Sequence, residues 1–109
     1  MSLPIEEVVK ELVELLGATT VAVIGGVSET RAVTQWTAGR APQRPNVLRF
    51  ALQVASMILN AHDPQIVRAW FHGSNPYLGD RTPALMLRDE ALSKVQGEII
   101  AAARSFAAR

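Results

Sequence analysis

Few side chains in this sequence could carry covalent or acid–base chemistry. There are two histidines, His62 and His72, and no cysteine. His62 precedes Asp63, and together they imitate a general acid–base pair. Asp63, however, is followed by Pro64, and Asp-Pro is a cap and first-turn pair that starts a helix, which gives the carboxylate a structural role. Neither histidine has a partner at metal-ligand spacing, and without thiolates a zinc site has no framework. Ser28 and Ser74 lack the strand-to-helix elbow that exposes a nucleophilic hydroxyl. Gly25-Gly26 follows no convincing strand and precedes no lysine, so it is not a phosphate-binding loop. The chain is therefore expected to have no catalytic, cofactor-binding or metal-binding residue and no small-molecule substrate. Its function is to be sought in recognition.

Two stretches have the residue types for recognition. The net charge is only +1, yet between Arg31 and His62 there is no acid, while Arg31, Arg40, Arg44 and Arg49 all fall there. A phosphate-binding face is expected from this segment, unless the clustering is simply a solvated surface. Within it, Ser28 is placed to cap a helix over 29–37 whose polar side shows Thr30, Arg31, Thr34 and Gln35. Arg can bind guanine, and Gln adenine, with two hydrogen bonds each. Arg40 and Arg44 follow in a loop of turn formers, Gly39 to Asn46, which either lies along a phosphate backbone or is a plain connector.

The second stretch, Trp70 to Leu87, packs two prolines, two glycines and an Asn-Pro step between apolar clusters. It cannot be one helix. Either it is a corner that turns one helix onto the next, or it is a surface that another molecule reads. Trp70, Leu78, Pro83 and Leu87 are expected to face inward, with the polar residues between them outward.

The elements that must hold these stretches are helices. Ile5, Val8, Val9, Leu12, Leu15 and Leu16 recur at helical spacing up to Gly17. Thr19 to Ile24 is rich in β-branched residues, but with no second strand to pair with it the backbone is better satisfied as a short helix ending at Gly25-Gly26. Val33 and Trp36 mark the buried side of the next. From Asn46 to Leu59 the pattern is apolar except for a narrow stripe of Arg49, Gln53, Ser56 and Asn60, which marks a central helix with Met57 filling gaps in the core. Asp63-Pro64 starts a helix that buries Ile66, Val67, Trp70 and Phe71, and Thr82-Pro83 starts a short one. Leu92 to Phe106 forms the last. The expected fold is all-α, a small helical bundle in which an N-terminal helix-turn-helix lobe (1–60) and a C-terminal helical lobe (61–109) share the central helix. With 109 residues, no Cys and no apolar run of membrane-spanning length, the chain reads as a soluble cytoplasmic protein with no membrane partner.

The pattern Trp70-Phe-x-Gly-x-Asn-Pro-x-Leu-Gly-x-x-Thr-Pro, running on to Leu87, resembles the toxin-binding domain of the MbcA/ParS/Xre antitoxins. Gly26-Val27-Ser28 to Trp36-Thr37-Ala38-Gly39 resembles the Xre-type helix-turn-helix that precedes it in that family. The resemblance implies a bacterial antitoxin that forms a homodimer, binds its own promoter DNA and covers the active site of a RES-domain, NAD-consuming toxin. By matching positions, Trp70, Asn75, Pro76, Leu78, Gly79 and Pro83 would frame the toxin-binding lobe, and Tyr77 and Arg81 fall at its variable positions. The alternative is a stand-alone helix-turn-helix regulator with no toxin.

One position departs from the family pattern. The first apolar residue of the recognition helix, Val33, lies five after Ser28 rather than four, and one extra residue turns a helix by about 100°. Either Glu29 or Thr30 is the true cap, or the lobe has lost DNA binding. At the other end, Phe106 and Arg109 make an apolar and basic tip, which either reaches into the toxin's NAD site or is a frayed helix end.

Overall fold

A corner of one residue begins the fold. The computed structural model describes residues 3–109, and its first helix, α1 (Ile5–Leu16), gives way at Gly17 directly to α2 (Ala18–Gly25). Gly17 has φ 87° and donates its N–H to Val13 O at 2.9 Å, a conformation open to glycine at little steric cost. The β-branched run from Thr19 is helical, as expected from its lack of a partner strand. Thr20, Val21, Ala22 and Ile24 are all buried, and burial on most sides outweighs local propensity.

The helix α2 ends in a Schellman motif. Gly26 takes the left-handed conformation (φ 79°), its N–H reaches Val23 O at 3.1 Å, and Val27 N–H reaches Ala22 O at 3.0 Å, so two orphan carbonyls are satisfied. The chain then bends through Ser28, and α3 (Thr30–Thr37) begins with Glu29 in the cap position. This corrects the expected Ser28 cap: Val33 lies four residues after the residue that occupies the cap. Glu29 makes no side-chain cap bond. Val33 and Trp36 are buried.

After the loop, α4 (Pro45–Leu59) has Pro45 in its first turn and buries Val47, Leu48, Phe50, Ala51, Val54, Ala55 and Ile58. It lies against α1 on one side and α7 (Leu92–Ala107) on another, with α2 and α5 (Pro64–His72) also in contact. That is the central position its all-round apolar character calls for. Met57 is only half-buried, at the core's edge. Asp63 and Thr82 do occupy the cap positions of α5 and α6 (Pro83–Asp89), but neither side chain makes the cap hydrogen bond. Among the described residues there are seven α-helices and no strand; the one β-bridge is Asn75 to Arg81. The buried apolar residues of 1–60 and 61–109 form one cluster, because α1 meets α5 and α2 meets α6 as well. A radius of gyration of 12.9 Å is close to the roughly 13 Å of a single domain this long. No helix among the described residues is long and apolar enough to cross a membrane.

Candidate functional site

The Trp70–Leu87 stretch is a shaped corner with an exposed edge. Asn75 organises it: its Oδ1 accepts from Tyr77 N–H at 2.9 Å, its carbonyl accepts from Leu78 and Asp80 N–H at 2.9 and 2.8 Å, and its N–H donates to Arg81 O at 3.0 Å. Pro76 opens a 3-10 turn over Pro76–Leu78. Gly79 (φ 67°) and Asp80 (φ 65°) then turn the chain back through two successive left-handed residues, the mirror-image turn that Gly and Asp suit best. Leu78 and Pro83 pin the corner to the core. Tyr77, held at the outer edge, is 61% exposed.

Arg81, at one of the motif's variable positions, does not stand free. Its guanidinium donates to Leu78 O at 2.9 Å and pairs with Glu90 at 3.2 Å and Glu98 at 2.6 Å, so it staples the corner to α7. Trp70, Asn75, Pro76, Tyr77 and Arg109, by contrast, come together around one groove of about 590 Å³ between α5, the corner and the end of α7. The remaining lining includes Ile66, Ala69 and Gly73 on the α5 side and Ala102, Ser105 and Phe106 on α7. Ile66, expected inside, is 37% exposed and forms part of the rim. No local spacing signals these residues: Ala69, Ala102 and Ser105 are small side chains that leave a hollow only where α5 and the end of α7 border the same groove.

Phe106 is fixed at the groove's end by His62, whose Nε2 lies 3.2 Å from Phe106 O and whose ring is 4.8 Å from the phenyl ring. The Arg109 guanidinium lies 5.6 Å from the Phe106 ring centroid, a cation–π distance. His62 therefore faces Phe106, while Asp63 opens α5. His72 lies at 2.5 Å from the buried Thr20 Oγ1 and ties the end of α5 to α2. No three His, Asp or Glu side chains converge as a metal site among the described residues.

The second candidate surface is α3. Ser28, Arg31 and Gln35 line a shallow hollow of about 240 Å³ with Val27, Glu29 and Ala32, and Thr30 and Thr34 are exposed along the same helix. Arg31 pairs with Glu29 at 3.3 Å, and Arg40 reaches Gln35 Oε1 at 3.2 Å. Arg44 is not part of this set. It turns inward, donating to Ile24 O at 3.2 Å, Leu87 O at 2.7 Å and Arg88 O at 3.2 Å. The end carbonyls of α2 and α6 have no helical partner of their own, and the guanidinium fork fits them better than a phosphate in solvent. Beside it, hydrogen bonds from Arg88 at 2.6 and 2.9 Å hold the Asp89 carboxyl below its ordinary value. The positive charge of Arg44 adds to that effect.

Compared with protein-family models, with curated proteins and with solved structures, the chain matches none.

Proposed function

We propose that this chain is an antitoxin whose C-terminal half binds a RES-domain, NAD-consuming toxin and covers its active site. The observation that carries this reading is the groove. Five of the residues that the motif and the chain's tip single out, Trp70, Asn75, Pro76, Tyr77 and Arg109, line one hollow with exposed apolar rims. Surfaces of that kind mark sites of protein association. On this reading the corner built by Asn75, Gly79 and Asp80 presents Tyr77 to the toxin, while Leu78 and Pro83 keep it rigid. The chain does no chemistry itself; the partner is the enzyme.

The test is co-expression with the product of the neighbouring gene. That product alone should deplete cellular NAD and stop growth, and the present chain should restore both and co-purify with it. A neighbour that neither consumes NAD nor binds would overturn the proposal.

A second activity, promoter binding as a homodimer, is supported by α2, the Gly26 turn and α3, which leave Thr30, Arg31, Thr34, Gln35 and Arg40 exposed. A helix-turn-helix places the N-terminal residues of its second helix at base edges. Glu29, at that N-terminus, opposes phosphate and weakens the contact. A mobility shift with the chain's own promoter, lost steeply as salt rises, is the expected result. No shift at low salt would remove this half of the proposal and leave the first intact.

A further inference from the structure

We propose that the groove between α5 and α7 receives one apolar side chain from a helix of a partner protein, with a carboxylate of the same helix seated on Arg109. This rests on the reading that the C-terminal half binds a protein, and it names the chemistry of that protein's contact segment.

The shape calls for a single anchor. The small side chains of Ala69, Ala102 and Ser105 leave the hollow, and the exposed Ile66 and Tyr77 stand at its rim. An anchoring apolar residue in such a pocket is how amphipathic helices dock. An extended peptide would need partners for its own N–H and C=O groups. No sheet edge among the described residues offers them, whereas a helix satisfies its own.

The charge calls for an acid. Arg109 is the one charged side chain lining the groove, and no Asp or Glu side chain lines it. The Phe106 ring, in turn held by His62, keeps the guanidinium at the groove's end. A basic segment would be repelled there, while an acidic one gains a charge-assisted hydrogen bond. A third observation is Trp70. It is 7% exposed, and its indole N–H is a buried donor with no partner. Because Trp70 lines the groove, its indole reports whether the groove is filled.

The probe is a phage-displayed library of short helical peptides selected on the full chain, and the enriched peptides are then measured on Ala69→Trp, which fills the groove from an exposed position. The enriched peptides should carry Leu, Met or Phe with Asp or Glu one helical turn away. Ala69→Trp should weaken them at least about tenfold, as loss of a central anchor does. Arg109→Glu should weaken them by about three- to tenfold, and Arg109→Lys by less. In NMR spectra the Trp70 indole signal should move on binding and that of Trp36 should not. Ser105→Trp serves as a second filled variant, and circular dichroism melts check that both remain folded. Enrichment of basic peptides, or peptides indifferent to both filled variants, would overturn the proposal. So would self-association of the chain abolished by Ala69→Trp, which would make the occupant a second copy. A toxin that binds the wild type and Ala69→Trp equally would sink this inference and leave the antitoxin reading standing. Acidic peptides in the groove with no toxin next door would do the reverse.

Discussion

Replacing Arg44 separates a side chain that holds the fold from one that holds DNA. Its three hydrogen bonds, to Ile24, Leu87 and Arg88 carbonyls, join the ends of α2 and α6. A hydrogen bond from a charged donor contributes about 1.5–3 kcal/mol when shielded. Arg44 is half-buried, and the carbonyls regain water once it is gone. A net loss of about 2–3 kcal/mol for Arg44→Ala is therefore the reasoned figure, below the sum of three shielded bonds. In a domain of this size that corresponds to a fall in Tm of roughly 8–24 °C. Arg44→Lys keeps the charge but replaces a planar fork with one ammonium that cannot span three carbonyls, so about 1–2 kcal/mol should still be lost.

Urea denaturation gives the stability of each variant, and a mobility-shift series across salt concentrations gives its DNA slope. A clamp lowers stability in both variants and leaves the salt slope of the folded protein unchanged. If Arg44 instead holds a phosphate, Arg44→Ala reduces the slope by about one and Arg44→Lys restores it. Stability in both would then stay within about 0.5 kcal/mol of wild type, as for ordinary surface substitutions. That pattern would refute the clamp.

Three further outcomes are expected. A Cβ on Gly25 would stand 2.5 Å from Trp36 Cη2 and 2.8 Å from its Cζ3. Gly25→Ala should therefore cost about 1–3 kcal/mol in urea denaturation, as overpacking does, and a neutral result would mean that α3 shifts freely over α2. Gly79→Ala forces a side chain into the left-handed region and should cost about 1–2 kcal/mol. It should also weaken toxin binding in a pull-down; full stability with full binding would show that the corner is not fixed by this turn. Glu29→Gln removes the carboxylate that pairs with Arg31 and should tighten promoter binding by about two- to fivefold at low salt. Unchanged affinity would place α3 away from the phosphates.

Helix content was legible because burial follows periodicity. Most apolar residues of α1 and α4 and the Val33–Trp36 pair lie in the core, with Leu59 exposed at the end of α4, and Asp63-Pro64 marks the start of α5. Even the β-branched run in α2 was decidable, since a lone strand has no partner for its backbone. Details set by longer-range geometry were not. The cap of α3 moved to Glu29 because the Schellman end of α2 takes up Gly26 and Val27 and leaves Ser28 in a bend, whatever its hydroxyl could offer. Arg44 reads as a solvent cation in a turn-rich loop; its carbonyl partners lie 20, 43 and 44 positions away, beyond any local pattern. Arg81 likewise looks outward in the motif until α7 brings Glu98 to it. The groove was half-visible: the motif supplied Trp70, Asn75, Pro76 and Tyr77, but a hollow is defined by what is missing. Ala69, Ala102 and Ser105 carry no signal until two helices place them face to face.

These same long-range contacts bear on how two recognition surfaces would work in one molecule. Arg44 joins the foot of the α2–α3 turn to α6, and its Cδ lies 3.3 Å from where a Cβ on Gly26 would stand. His72 and Thr20 join α5 to α2 from the other side. The helix α2, which precedes α3, is thus fastened to α5 and to α6 through side chains and not only through the shared core. Both joints run through α2, so a shift of α2 relative to α5 or α6 must break one of them. On the proposed reading, a bound toxin should alter promoter affinity through its own charge and bulk beside the DNA. Loosening a joint, as Arg44→Ala or Thr20→Val would, is what should let the two surfaces couple through movement.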